Sequence, residues 1–140
     1  MKILAVDLGL VRTGLAISDS AQILASPLSV IVEKNRDILV KKIHKICLDE
    51  KVDKIVVGLP KNMDGSEGES AQKARMFASD LSKVSGLSVE LIDERGTTIT
   101  AHNVLNETNV RGKKRKSIVD TVAATIILQN YLDSCKKISE

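Results

Sequence analysis

The segment 2–8, Lys-Ile-Leu-Ala-Val-Asp-Leu, is apolar at nearly every position. A strand with one face in water alternates apolar and polar side chains, so this run predicts a central strand that is covered on both faces. An α/β architecture, in which helices pack on both faces of a sheet, covers a strand in that way. This segment therefore constrains the fold more than any other part of the chain.

Hydrophobic periodicity and turn residues predict the other elements of the fold. Gly9 and Gly14 bracket a turn that joins the first strand to the second. Further strands are predicted over 14–18, 28–33, 54–58 and 88–92, and helices over 37–50, from the loop at 58–68 to about 84, over 97–106 and over 117–134. Three strands joined by hairpins, followed by alternating helices and strands, predict a five-stranded mixed sheet with helices on both faces.

The length of 140 residues fits one domain, which is predicted to span 1–140. The longest apolar runs, such as 122–128, fall far short of the roughly 20 residues that a membrane span needs. The N-terminus lacks the long apolar stretch and the small-residue cleavage site of a signal peptide. We therefore expect a cytoplasmic protein that has no membrane partner.

Most kinds of catalytic chemistry find little support in the sequence. Cys47 and Cys135 lie far apart and form no Cys-x-x-Cys pair, so they are expected to be small buried thiols. His44 and His102 lie on predicted helices among charged or polar neighbours, which argues against a two-histidine ribonuclease site. No nucleophile elbow, Walker loop or zinc-protease motif is present. The chemistry that remains is a metal ion held by carboxylates.

Acidic residues end two of the predicted strands. Asp7 closes the first strand, where a charge is costly to bury unless it is paired or bound to metal. Capping of the turn that follows is the alternative role for Asp7. Asp93 and Glu94 end the fifth strand, and because side chains alternate across a strand, at most one of them points towards Asp7. We favour Glu94 over Asp93, although Arg95 would neutralise either carboxylate.

Asp120 lies near the start of the last predicted helix. A structural role is consistent with the segment Ser117-Ile-Val-Asp120, because it fits a capping box and an acidic residue there suits the helix dipole. By helical spacing, however, Asp120 shares a stripe with apolar residues that include Ala123 and Ala124. These alanines would let the helix lie close to the sheet and bring Asp120 towards the strand ends. Capping and metal binding are compatible roles.

Net charge is only +3, but basic residues concentrate in one short segment. This basic cluster consists of Arg111, Lys113, Lys114, Arg115 and Lys116. It is either a phosphate-binding arm or a solvated loop, and the sequence leaves both open. Aromatic rings are nearly absent, with one Phe and one Tyr. Nucleic acid would therefore be recognised through phosphates, sugar hydroxyls and shape rather than through base stacking.

Short motifs lie in order from one end of the chain to the other, namely Ile3–Gly9, Gly14–Asp19, Val56–Gly65 with Gly68, Asp93–Arg95, Thr97–Thr98, Arg115–Asp120 and Ala123–Ala124. Together they closely resemble the motifs of the YqgF/RuvX family, the pre-16S rRNA nucleases related to Holliday-junction resolvases. Two positions depart from the family pattern. Gly96 stands where an aliphatic residue is more usual, and residues 10–12 replace a turn rich in lysine.

The resemblance implies an RNase H-like fold whose acidic site is Asp7, Glu94 and Asp120. In that family the trio is thought to hold one or two Mg²⁺ or Mn²⁺ ions, with Asp7 as the bridging ligand. The implied activity is a metal-dependent endonuclease that processes the 5′ end of pre-16S rRNA during ribosome biogenesis. The nucleic-acid-binding residues implied around that site are Asn62, Gly65, Arg95, Arg111, Lys113, Lys114, Arg115 and Lys116.

Three other functions are compatible with the sequence. The first is a Holliday-junction-type resolvase of branched DNA, since the preference for structured RNA rests on the resemblance. The second is a ribosome-assembly or nucleic-acid-binding module with little catalysis of its own. The third is an actin-like nucleotide site, which Asp7-x-Gly9 resembles but which needs two such domains. Oligomeric state stays open between monomer and homodimer, because the apolar last helix would serve either.

Overall fold

A computed structural model describes residues 1–62, 64–93 and 112–139, with the side chains of the last segment described over 121–135. The described residues form five strands and three helices in the expected order. These are β1 (Lys2–Asp7), β2 (Arg12–Ser18), β3 (Ala25–Val32), α1 (Arg36–Glu50), β4 (Val52–Leu59), α2 (Glu69–Ser85), β5 (Ser88–Asp93) and α3 (Gly112–Ser139). The helix predicted over 97–106 lies outside the described residues.

The five strands form one mixed sheet in the order β3-β2-β1-β4-β5. β2 is antiparallel to both β1 and β3, whereas β4 is parallel to both β1 and β5. The predicted five-stranded mixed sheet is thus confirmed, with β1 at its centre. β1, β4 and β5 all end at one end of the sheet, which we call the carboxyl end, at Asp7, Leu59 and Asp93.

β1 is apolar throughout because alternate side chains enter two separate cores. Leu4 and Val6 belong to the core under α1 and α2. Ile3 and Ala5 belong to the core under α3. All four residues are at most 1% exposed to solvent, so the strand is covered on both faces as predicted.

α1 and α2 pack together on one face of the sheet. Asn35 caps α1, its side-chain oxygen accepting a hydrogen bond from the Ile38 amide at 3.1 Å. The apolar residues that recur at helical spacing along α2 are all buried, namely Ala71, Ala74, Phe77, Ala78 and Leu81. Cys47 of α1 is buried too, and burial raises the pKa of its thiol to about 11. This thiol is therefore an inert core residue.

Several predicted boundaries differ from those of the structure, and two of the differences have a clear physical reason. α3 begins at Gly112 and not at residue 117, because lysine and arginine are good helix formers and no proline or further glycine interrupts the segment. Ser117 therefore lies inside the helix, and the predicted capping box does not form. β3 begins at Ala25 and not at residue 28, with Pro27 tolerated because β3 is an edge strand with a register shift at this point.

The earlier start of α3 places most of the basic cluster on a helix. Residues 112–116 form the first turns of α3, so the solvated loop expected as one alternative is replaced by a helix.

No helix in the described part of the chain is both long and apolar enough to cross a membrane.

A polar cluster fastens α3 to the sheet at the end opposite the carboxyl end. Lys54 of β4 donates a hydrogen bond to the Tyr131 hydroxyl at 2.6 Å and forms an ion pair with Glu90 of β5 at 2.9 Å. The hydrogen bond with Tyr131, followed by that with Glu90, raises the pKa of Lys54, and burial raises the pKa of Tyr131. The cluster is therefore most stable when both residues keep their protons.

Replacement of Tyr131 by phenylalanine tests this cluster. The bond is only partly buried, so its loss is expected to lower the free energy of unfolding at pH 7 by about 1.5 kcal/mol, the low end for a hydrogen bond to a charged group. Since the folded-state pKa values of Lys54 and Tyr131 are both raised, their stabilisation is complete below about pH 10 and is lost as the pH rises further. Urea unfolding between pH 7 and 11 should show this decline, and Tyr131→Phe should make it shallower. An equally steep alkaline decline in Tyr131→Phe would contradict the assignment.

Candidate active site at the carboxyl end of the sheet

Asp7 is the last residue of β1, as predicted, and its side chain is half-buried. Because Ile3 and Ala5 face α3, the alternation of the strand places Asp7 on the α3 face as well. Its partner across the β1–β2 ladder is Gly14, which has no side chain. The sheet therefore leaves room beside the Asp7 carboxylate on this face.

The turn after Asp7 depends on a glycine. A Cβ atom at Gly9 would collide with the backbone carbonyl of Arg12, so the chain closes here only without a side chain. Arg36, the first residue of α1, donates a hydrogen bond from Nη1 to the Gly9 carbonyl at 2.9 Å. α1 thus holds the turn that positions Asp7. Sequence reasoning missed Arg36, because no local pattern marks a contact between residues 27 positions apart.

Asp93 lies at the same end of the sheet but on the opposite face. It pairs with Leu59 and follows Leu91 by two residues, and both leucines pack in the cores on the α1 and α2 side. Alternation then places Asp93 on that side, away from the face of Asp7. Glu94, the other predicted candidate, lies outside the described residues.

α3 buries the stripe that the sequence predicts. Its members Ala123, Ala124, Ile127 and Tyr131 are all buried. Residue 120 belongs to the same helix and lies eleven residues before Tyr131, about 16 Å along the axis. The side chain of Asp120 is outside the described residues.

The direction of α3 follows from contacts in its second half. Gln129 accepts a hydrogen bond from the Ala25 amide at 2.9 Å and donates one to the Ile23 carbonyl at 3.1 Å. Ala25 pairs with the last residue of β2, opposite the carboxyl end of the sheet. The helix is thereby anchored at the far end of the sheet, and Tyr131 is fixed there by Lys54. Its first half extends away from that anchor.

The loop after β4 is a tight hairpin. Asn62 and Ser66 are joined by a backbone hydrogen bond of 2.8 Å and by a side-chain bond of 2.9 Å from Asn62 Nδ2 to Ser66 Oγ. Gly65 has φ of 90°, a conformation that favours glycine, which explains its place in the turn. Both predicted loop residues, Asn62 and Gly65, therefore lie at the carboxyl end of the sheet, where Asn62 orders the turn.

An ion pair ties this hairpin to α2. Arg75 donates from Nε to Glu67 Oε1 at 2.7 Å and from Nη2 to Glu67 Oε2 at 2.9 Å. These two hydrogen bonds lower the pKa of Glu67 and raise the pKa of Arg75. The pair is a bidentate contact, which fixes direction as well as distance.

Within the described ranges, no three histidine, cysteine, aspartate or glutamate side chains come together. Of the predicted metal ligands, only the side chain of Asp7 belongs to those ranges. The other predicted binding residues that fall outside them are Arg95 and Arg111, together with the side chains of Lys113, Lys114, Arg115 and Lys116.

A mixed five-stranded sheet with an acidic residue ending its central strand, and helices on both faces, defines an RNase H-like domain. Solved structures with this fold include Thermus thermophilus RuvC in complex with a Holliday junction substrate, at a TM-score of 0.61 and 13% identity, covering 98% of this chain and 96% of that one. The fowlpox virus Holliday junction resolvase matches at a TM-score of 0.56 and 16% identity, covering 96% and 99%.

The chain belongs to the RuvX family, described as Holliday junction resolvase, whose family model matches residues 1–134. A curated relative from Clostridium botulinum, named "Putative pre-16S rRNA nuclease", is 42% identical over 98% of this chain and 100% of its own length. A relative of the same name from Anaeromyxobacter is 43% identical over 95% and 97%. The chain is accordingly a nuclease, a hydrolase of phosphodiester bonds, as its resemblance to this family implied.

Proposed function

We propose that the chain, as a single domain over 1–140, is a cytoplasmic metal-dependent endonuclease that processes the 5′ end of pre-16S rRNA. The substrate is carried over from the names of relatives that match almost the whole chain. The proposed catalytic activity rests on the position of Asp7, which lies half-buried at the end of the central strand, on the face that α3 covers.

Asp7, Glu94 and Asp120 would hold Mg²⁺ or Mn²⁺, since carboxylate oxygens are the ligands that these hard cations prefer. The position of Asp93 on the opposite face supports Glu94, because the next residue of an alternating strand returns to the face of Asp7. The anchored second half of α3 supports Asp120, because it directs the first half towards the carboxyl end. Bound metal would supply an activated water and stabilise the leaving oxygen.

The nucleic acid would lie across this end of the sheet. Asn62 and Gly65, which lie in the hairpin after β4, would contact the nucleic acid at this end. Arg95, Arg111 and the basic residues of the first turns of α3 would bind its phosphates. The helical setting of residues 113–116 supports this role, because they precede position 120 by one to two turns on the same helix.

Cleavage of two substrates tests the proposal. A precursor 16S rRNA fragment and a four-way DNA junction are incubated with the protein in Mg²⁺ or Mn²⁺, and the products are mapped. Specific cleavage at the 5′ end of the RNA is expected. Preference for the junction would instead favour the second candidate, a DNA resolvase, which the description of the family model supports. Binding of the RNA without cleavage of either substrate would favour the ribosome-assembly module.

A further inference from the structure

A groove with an apolar floor and a cationic rim opens beside the turn that follows Asp7. Its volume is about 330 Å³, and Leu10, Met76 and Phe77 supply apolar surface. Leu10 is 73% exposed and Met76 is 69% exposed, which is high for side chains of this kind. Exposed apolar groups that meet at one groove point to a binding site. We refer to this feature as the Leu10 groove.

Cations dominate the rim of the Leu10 groove. Among the described residues that line it, Lys34, Arg36 and Lys73 are basic and Asp80 is acidic. The three cations come from three elements: the β3–α1 connection, the start of α1 and the second turn of α2. Lys73 also pairs with Glu69 at 3.3 Å, but both groups are exposed, so this pair exchanges easily for another anion. The groove is therefore suited to an anionic ligand that also has an apolar part.

The Leu10 groove adjoins the turn that follows Asp7, on the α1 and α2 side of the sheet. A smaller cavity of about 60 Å³ extends it towards the turn and is lined by Leu8, Gly9 and Pro60 in addition to Leu10, Arg36 and Lys73. Arg36 links the two features directly, because it lines the groove and donates a hydrogen bond to the Gly9 carbonyl at 2.9 Å. A nucleic-acid strand that extends from Asp7 into the groove would pass over this turn, from the α3 face of the sheet to the α1 and α2 side.

We propose that the Leu10 groove binds a single-stranded flank of the nucleic-acid substrate. Lys34, Arg36 and Lys73 would contact its phosphates, and the apolar floor would contact the base or sugar of an unpaired nucleotide. The proposal rests on the proposed function, since the occupant is the substrate of that site. Continuity with the turn favours a nucleic-acid strand over an acidic peptide, which has a similar combination of charge and apolar surface.

Binding of paired RNA probes tests this proposal. A labelled RNA hairpin with a ten-nucleotide single-stranded flank, placed 5′ or 3′ in separate probes, is compared with the same hairpin without a flank. Anisotropy titrations in EDTA measure affinity when no metal-dependent cleavage takes place. The wild type should bind at least one flanked hairpin more tightly. Lys34→Ala/Lys73→Ala should weaken binding of that probe by about tenfold and reduce the salt slope by about 1.4, as two lost single-strand phosphate contacts require.

The chain offers a matched control pair of lysines nearby, one on α1 and one on α2. Lys41 and Lys83 line the neighbouring cleft between α1 and α2, where Asp37 and Asp80 balance them. Lys41→Ala/Lys83→Ala should leave the affinity for the flanked hairpin unchanged. Leu10→Asp is a second test, because it adds an anion and removes apolar surface at an exposed turn, and it should weaken binding of the flanked hairpin. Circular dichroism melting checks that each variant is folded.

Three results would overturn the proposal: no gain in affinity from either flank, an equal loss in the control variant, or an unchanged affinity in Lys34→Ala/Lys73→Ala. An unchanged affinity for RNA together with lost binding of an acidic peptide that has one apolar residue would assign the groove to a protein ligand. Since the titrations contain EDTA, these results do not depend on cleavage, so failure of the groove and failure of the proposed nuclease site are separate outcomes.

Discussion

Asp7→Asn is expected to lower the rate of metal-dependent RNA cleavage by about a thousandfold, which corresponds to about 4 kcal/mol of transition-state stabilisation. Asparagine keeps the size of the side chain but removes the charge that a divalent ion requires. Because Asp7 lies half-buried at the end of β1, the fold should survive, with a melting temperature within a few degrees of the wild type. Single-turnover cleavage and thermal melting measure the two effects.

Asp93→Asn is the matched control for this prediction. Asp93 ends β5 at the same end of the sheet, but on the opposite face. Its replacement should change the cleavage rate by less than about threefold, or roughly 0.6 kcal/mol. Equal losses in the two variants would show that the face of the sheet does not decide which carboxylate acts. Full activity in Asp7→Asn would remove Asp7 from the chemistry.

Gly9→Ala is expected to lower the free energy of unfolding by about 3 kcal/mol, because the new Cβ meets the Arg12 carbonyl and the turn must shift. For a chain of this length the melting temperature should fall by about 10 °C. The shift also moves the Gly9 carbonyl, which accepts a hydrogen bond from Arg36. The cleavage rate should therefore fall even at temperatures below the melting transition. Chemical denaturation and cleavage at low temperature separate the two effects.

Gly68→Ala is the control for Gly9→Ala. A Cβ at Gly68 meets only Asn62 Nδ2, at 3.9 Å, which is an ordinary contact. Its φ is −102°, which any residue adopts, so the loss should stay below about 1 kcal/mol, the amount expected for a changed N-cap. A similar loss at both positions would mean that the collision with Arg12 is relieved at little cost.

The parts of the fold that could be predicted are those with a strong local periodicity. β1 is apolar on both faces, and α2 places its buried residues from Ala71 to Leu81 at helical spacing. Asn35 was predictable as a cap because its side chain bonds three residues along the chain. In each case one short segment contains all the information that decides the structure.

The parts that could not be predicted depend on contacts between distant segments. The bond from Arg36 to Gly9 spans two strands and a loop. The start of α3 differs from the prediction because residues 113–116 are charged, which suggests a loop, whereas lysine and arginine favour helices. For Asp93 and Glu94, alternation predicted that at most one of them faces Asp7, but the register with β4 was needed to assign Asp93 to the other face.

The most direct test of a carboxylate-held metal centred on Asp7 is the chemistry of the cleavage products. Precursor 16S rRNA is incubated with the wild type in Mg²⁺, in Mn²⁺ and in EDTA, and the ends of each fragment are determined. We expect cleavage only with a divalent ion, leaving 3′-hydroxyl and 5′-phosphate ends. Cleavage that persists in EDTA, or fragments that end in a 2′,3′-cyclic phosphate, would contradict it.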